Sequence, residues 1–208
     1  MIQYGANWTL ETLETHQTDT VYLPFAAFES SVPYLPLTAD LLISEAYARA
    51  ISNRIGAFLL PVQPFATRYK QRDRYRLGID ADLMYDMTLD LAQEIKRQGF
   101  GRLVIQETCS GKSILYALQR HLNAQTIIKT ILVNPKNLAC RQCQGLVGQI
   151  PEQEEIDDAL LKEIVEFSDK GELNDCPPGA QLLAAGIKEA VKEIEAAFAF
   201  MDTIGSYA

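Results

Sequence analysis

Apolar residues in this chain fall into short continuous runs and helix-spaced stripes, and the two kinds alternate. Residues 20–28 form a β-branched and aromatic run, which predicts a buried strand. Asp40 then opens an amphipathic helix over residues 41–51, its carboxylate suited to cap the helix by accepting a free backbone N–H. Residues 57–62 predict a second strand. Over residues 81–98, Leu83, Met87, Leu91 and Ile95 share one helical stripe, and Gly99 closes the helix. A third strand is expected at 102–106, a helix at 113–122 and a fourth strand at 126–133. Helices at 154–167 and 180–201 finish the chain. Strands alternating with helices of this length predict βαβ units. The expected fold class is α/β, a three-layer sandwich with a mainly parallel β-sheet flanked by helices. No repeat or long linker interrupts the pattern. A chain of 208 residues, 48% of them hydrophobic, can bury one sizeable core, so one domain over residues 1–208 is expected.

Charge changes the picture in one respect. The net charge is −8, which disfavours nonspecific nucleic-acid binding. From Pro151 onward there are fourteen acidic and four basic residues, a balance of −10, so residues 1–150 carry +2. No apolar stretch approaches the roughly 18 residues of a membrane span, and the N-terminus has no basic-then-apolar leader pattern. A cytoplasmic protein without membrane or nucleic-acid partners is expected. Four cysteines without a leader read as thiols or ligands rather than a disulfide framework.

Loops at the carboxyl ends of the strands are the default site in such a sheet. The loop after the first strand reads Glu29-Ser-Ser-Val-Pro-Tyr-Leu-Pro-Leu-Thr-Ala-Asp40, with a carboxylate at each end of a Pro-x-Leu-Pro-Leu core. It resembles the first metal motif of the creatininase family, Glu-x-His-Gly-Pro-His-Leu-Pro-Leu-x-x-Asp. Glu29, Pro33, Leu35, Pro36, Leu37 and Asp40 match the motif. Ser31 replaces a metal-binding histidine, Val32 the glycine and Tyr34 the second histidine. The loop after the third strand, within Gly99-Phe-Gly-Arg-Leu-Val-Ile-Gln-Glu-Thr-Cys-Ser-Gly-Lys112, is similar to the family's Gly-Phe, strand, Asn-Gly-His-Gly-Gly-Asn. There Glu107 falls on the first Asn, Thr108 on Gly and Cys109 on the metal-binding His. A further metal Glu of creatininase proper falls on Gly111. A third motif survives only as Val147-Gly-Gln-Ile150, and the middle loop keeps only Gly78. The resemblance covers about residues 20–150.

The resemblance implies hydrolysis of a cyclic amide or related C–N bond in a small molecule by metal-activated water. Carried over residue by residue, it implies Glu29, Asp40 and Cys109 as metal ligands, with Asp40 bridging and the Cys109 thiolate replacing a histidine. Ser31 and Gly111 remove ligands of the other metal, so at most one divalent ion, zinc or manganese, is expected, or none. Ser31, Tyr34, Glu107, Thr108, Arg68 and Arg72 are the candidate substrate- or anion-binding residues. The alternative is a metal-free member that binds a ligand or serves as a structural subunit, with Glu29 a loop carboxylate, Asp40 a helix cap and Cys109 a semi-buried thiol.

Other signals are weaker. Cys140 and Cys143 form a lone CxxC pair that Cys109 and Cys176 complete to four thiolates only across long gaps. Gly111-Lys-Ser113 resembles a P-loop ending, but Gln106 stands where its first glycine belongs. Neither His16 nor His121 lies in a motif, and His121 suits a helix C-terminus. The run Arg68-Tyr-Lys-Gln-Arg-Asp-Arg-Tyr-Arg76 puts a base at every second position, one face of an extended segment. It reads as a solvated loop, an anion clamp, or a contact with acidic surface on a neighbouring subunit. The family resemblance implies a homo-oligomer, a hexamer.

Overall fold

The computed structural model describes residues 9–28, 38–67, 78–108, 113–135, 138 and 178–205. In chain order its elements are α1 (Leu10–His16), β1 (Thr20–Phe25), α2 (Ala39–Ile55), β2 (Phe58–Leu59), β3 (Ala66–Thr67), β4 (Gly78–Ile79), α3 (Ala81–Arg97), β5 (Arg102–Glu107), α4 (Ser113–Ala124), β6 (Lys129–Val133) and α5 (Pro178–Gly205). One sheet has the order β2-β1-β5-β6, every neighbouring pair parallel. β3 and β4 form a separate two-stranded parallel ribbon.

Strand pleating divides the core in two. Tyr22, Val104, Ile131 and Val133 face a layer made by α2 and α5. Val21, Leu23, Phe25, Leu103 and Ile105 face α3 and α4. Successive side chains of one strand therefore enter opposite cores, which is why β1 is buried at all six positions and reads as a continuous apolar run. The crossover from β1 to β2 runs in one direction along the sheet, and those to β5 and β6 in the other. Right-handed crossovers then require their helices on opposite faces, as observed. The three-layer α/β sandwich expected from the pattern is the fold found.

Several boundaries differ from the sequence pattern for identifiable reasons. β1 ends at Phe25 rather than residue 28. Pro24 sits inside it because its nitrogen faces the β2 side, where β2 has already ended at Leu59; there the Pro24 carbonyl accepts from Gln63 N at 2.8 Å. The second strand shrinks to two residues because the pairing slips by one after Leu60, the next bond to β1 coming from Gln63 N rather than Val62 N. β6 starts only at Lys129, since Thr126 adopts φ 52° and Ile127 N still bonds Leu122 O. On α3 the buried residues are Met84, Thr88, Ala92 and Ile95. Leu83 is 57% exposed, so the expected stripe is rotated by one residue at its start. Small Thr88 and Ala92 let the helix lie close to the sheet, and the Thr88 hydroxyl is satisfied by Met84 O.

Helix α2 starts at Ala39 with Thr38 as its N-cap residue and no side-chain cap bond. Asp40 is therefore not the cap. It lies in the first turn, where its charge complements the helix dipole. The last helix is longer than the pattern suggested and buries Leu183, Ile187, Ala190, Ile194 and Phe198 at helical spacing. Helix α1 was not expected; Thr9 caps it by accepting from Thr12 N. The expected helix at 154–167 lies outside the described residues. No helix among the described residues is long and apolar enough to cross a membrane.

Candidate active site

The chain leaves β1 toward β2 on one side and later returns to β5 on the other. The sheet therefore has its switch point between β1 and β5, and the crevice at their carboxyl ends is where open parallel sheets bind ligands. In register, Phe25 pairs with Glu107 and Pro24 with Gln106, so both strands end level at this crevice. The segment carrying Glu29 follows one end and the segment carrying Cys109 follows the other.

Three of the expected site residues lie within the described structure. Glu107 is the last residue of β5 and only 3% exposed. Thr108 is 5% exposed, and its hydroxyl donates to the Phe25 carbonyl at 3.4 Å, tying the two strand ends together. Asp40 is half-buried in the first turn of α2. Glu29, Ser31, Tyr34, Arg68, Arg72 and Cys109 lie outside the described residues, as do Gly111, Cys140, Cys143, Cys176 and the Val147–Ile150 motif. His121 is in the last turn of α4, exposed and edge-on to Tyr85, in keeping with a structural role.

Beneath the crevice is a polar cluster that the sequence did not announce. Tyr22 Oη donates to Gln106 Oε1 at 2.8 Å. Gln106 Nε2 donates to Ser44 O at 2.9 Å and to Ser44 Oγ at 2.8 Å. Ser44 Oγ in turn donates to Phe25 O at 3.3 Å. Tyr22, Gln106 and Ser44 are wholly buried. Burial holds the Tyr22 phenol well above its ordinary range, so it stays a neutral donor. The available signal was a glutamine directly after the apolar run Leu103–Ile105 and a serine on the buried face of α2.

Two clefts, of about 530 and 340 Å³, lie at the opposite, amino ends of the strands. Both are lined by Arg102 and Asp202. Asp202 accepts from Arg102 Nη2 and from Lys129 Nζ, each at 2.6 Å, and Arg102 lies 5.2 Å from the centre of the Phe198 ring. These contacts fasten α5 to the sheet at the end away from the crevice. Among the described residues no group of three or more histidine, cysteine or acidic side chains comes together as a metal site.

Residues 6–162 match the family model for creatininase, creatinine amidohydrolase. The chain belongs to the creatininase family. Solved structures of similar fold agree. A creatinine amidohydrolase (creatininase) structure superposes with a TM-score of 0.71 at 16% identity, over 95% of this chain and 98% of that one. A manganese creatininase structure gives 0.69 at 16% identity, over 95% and 99%. A zinc–zinc form of a creatininase mutant gives 0.71 at 14%, again over 95% and 99%. No curated protein matches the chain by sequence. Creatininases in these structures hold zinc or manganese, and family membership points to amidohydrolase-type chemistry for this chain.

Of the residues expected to hold a cation, Asp40 is the one within the described residues. Glu107 stands where the family pattern has Asn, and strand alternation turns it to the α3 and α4 face with Leu103 and Ile105, the face opposite α2.

Proposed function

We propose that this protein is a hydrolase of an amide or other C–N bond in a small molecule, working at the β1–β5 crevice with one divalent metal, zinc or manganese. The observation that carries the proposal is Glu107, a carboxylate 3% exposed at the carboxyl end of β5, level with the end of β1. A carboxylate is rarely buried unless paired, so Glu107 gives this end of the sheet a fixed polar group beside the strand ends rather than a solvated surface charge. Asp40, at the head of α2, is the family carboxylate retained within the described structure, and Glu29 is its retained companion in sequence. When bound, the metal would polarise the substrate carbonyl and acidify a water. Glu29, Asp40 and Cys109 would hold the cation, and Ser31, Tyr34, Glu107 and Thr108 would orient the ligand. The segment bearing Arg68 and Arg72 attracts an anionic group on the ligand. The protein acts as a cytoplasmic homo-oligomer, a hexamer, with neither nucleic acid nor membrane as partner.

A second reading has a specific sequence observation behind it. Ser31 and Gly111 stand where the family has metal ligands, and a chain that has lost them is a metal-free ligand-binding or structural subunit. Elemental analysis and calorimetric titration with zinc and manganese separate the two, followed by hydrolysis assays on creatinine and other small cyclic and linear amides. One metal equivalent is expected, with metal-dependent turnover that Asp40→Asn abolishes. Folded protein that binds neither ion and turns over nothing supports the second reading.

A further inference from the structure

We infer that Arg102 and Lys129 form an anion site at the amino end of the sheet, suited to the phosphate of a small phosphate monoester, and that Asp202 of α5 occupies it as a built-in competitor. The inference does not depend on the activity proposed at the crevice. Arg102 opens β5, Lys129 opens β6, and the two are register partners on adjacent parallel strands. Neighbouring strands lie only about 4.8 Å apart, and like charges side by side across a ladder repel. Such a pair calls for an anion between its members, and the chain supplies one. Asp202 Oδ2 accepts from Arg102 Nη2 and Asp202 Oδ1 from Lys129 Nζ, each at 2.6 Å. Charged donors on separate oxygens of one group are how cationic side chains grip an oxyanion. The preference for negative charge shows in Asp202 itself. The hydrogen bond from Lys129, with Arg102 adding to it, holds its carboxyl below the usual aspartate range.

The resident carboxylate is loosely held. Phe198 is the last buried side chain of α5 among those described, and beyond it Phe200 and Ile204 are exposed. The last turn is therefore fastened through Asp202 rather than by apolar burial. Arg102, Lys129 and Asp202 each keep a third or more of the side chain in water, and ion pairs this exposed are weak. The site also opens on space. Arg102 and Asp202 line both clefts at this end, of about 530 and 340 Å³, and Lys129 lines the larger. Lys96 in the larger cleft and Arg54 in the smaller add positive charge. The other acids lining the clefts are Glu195 and Asp19, and Asp19 already accepts from Gly101 N and lies 3.8 Å from Arg102 Nε. With Asp202 displaced, the four cations Arg54, Lys96, Arg102 and Lys129 face the two carboxylates Asp19 and Glu195. A phosphate monoester carries about −1.5 to −2 at neutral pH, against −1 for aspartate, so charge favours the exchange. Ile127, Ile128 and Met201 line the larger cleft and offer an apolar wall to the esterified group.

The test titrates the intact chain, Asp202→Ala and Lys129→Met with phenyl phosphate and with inorganic phosphate by calorimetry, at constant ionic strength. Removing the resident carboxylate is expected to raise the affinity for both about fivefold, the most that an exposed ion pair withholds. Lys129→Met keeps the stem and removes the charge, and is expected to lower both affinities about tenfold. Phenyl phosphate should bind more tightly than inorganic phosphate. In the intact chain, saturating phenyl phosphate should quicken amide hydrogen exchange over residues 199–205 toward the rate in Asp202→Ala. If Asp202→Ala does not fold, Asp202→Asn, which removes the charge and keeps the size, carries the comparison. The inference is overturned by an affinity that does not rise when Asp202 is replaced, by no saturable binding in either protein, or by binding that Lys129→Met leaves unchanged. Equal affinity for the two probes overturns the assignment of an apolar ester to the cleft.

Discussion

Helix α5 approaches the rest of the molecule closely at Gly186, and that approach predicts the sign of one substitution. A Cβ placed on Gly186 would lie 2.6 Å from the Pro135 carbonyl oxygen, 2.9 Å from Tyr47 Cε1 and 3.0 Å from Tyr47 Oη. Carbon–oxygen contacts of this kind sit at about 3.3–3.6 Å, so Gly186→Ala forces the helix back by roughly 0.7 Å. The nearest obstacle is backbone, and Tyr47 is itself buried in the core that α5 shares with α2, so neither neighbour can turn aside. Overpacking of this sort costs about 1–3 kcal/mol. Against it stands the helix propensity gained by replacing a mid-helix glycine with alanine, about 0.8–1.0 kcal/mol. The net expectation is a destabilisation of about 1 kcal/mol, which for a chain of this size lowers Tm by roughly 2–4 °C. Were α5 not seated here, the propensity gain alone would stabilise the protein by a similar amount. Urea unfolding with the midpoint compared at constant slope separates the two outcomes. A midpoint that rises on Gly186→Ala would refute the close packing of α5 on Pro135 and Tyr47.

Other expectations concern charge. Hydrogen bonding from Lys129, aided by Arg102, holds the Asp202 carboxyl below the usual aspartate range. A carboxylate depressed on folding contributes stability that is present above its unfolded value and is lost as pH falls through the folded one, so this contribution should fade below about pH 4. Asp202→Asn should flatten that part of the stability–pH curve, and an unchanged acid limb in urea titrations would count against the contact. The exposed Glu94, which pairs with Arg97 and Gln98 and is held down to about 2, serves as a comparison carboxylate at the far end of α3. Light scattering across a salt series should show a homo-oligomer that loosens as salt rises, because screening shortens the reach of exposed charge to about 8 Å at physiological ionic strength. A monomer at every salt concentration defeats the proposed assembly, and an unchanged oligomer defeats only its electrostatic part.

The fold was legible because each of its main elements has a strong local signature. A run such as Val21–Phe25 has no polar residue to turn outward, so it must be buried on both faces, and that requires helices above and below. The boundaries were less legible where a single backbone feature decides them. The one-residue slip in pairing after Leu60, the left-handed turn at Thr126 and the start of α2 one residue before Asp40 are such cases. On α3 the pattern named Leu83 for the core because apolar character alone cannot choose between two adjacent stripes. The packing partner chose Met84 instead. For the site, the motif spacing pointed to the ends of β1 and β5 but treated each residue singly. Gln106 looked only like the wrong residue for a phosphate loop. Its role depends on Tyr22 and Ser44, which are 84 and 62 positions away in sequence and meet it only once the sheet and α2 are assembled.

The most direct test of the account is metal stoichiometry at the crevice, measured by elemental analysis on the purified protein after saturation with zinc or manganese and removal of loose ions. One equivalent per chain is expected, lost in both Asp40→Asn and Glu29→Gln while each variant keeps its helical and sheet signature. Asparagine preserves the size of the side chain in the first turn of α2, so a stability cost beyond the 0.3–1 kcal/mol of a helix-dipole contact is not expected from it. Two equivalents in the parent protein, or one equivalent that survives both substitutions, would contradict the assignment of these carboxylates to a single-metal site.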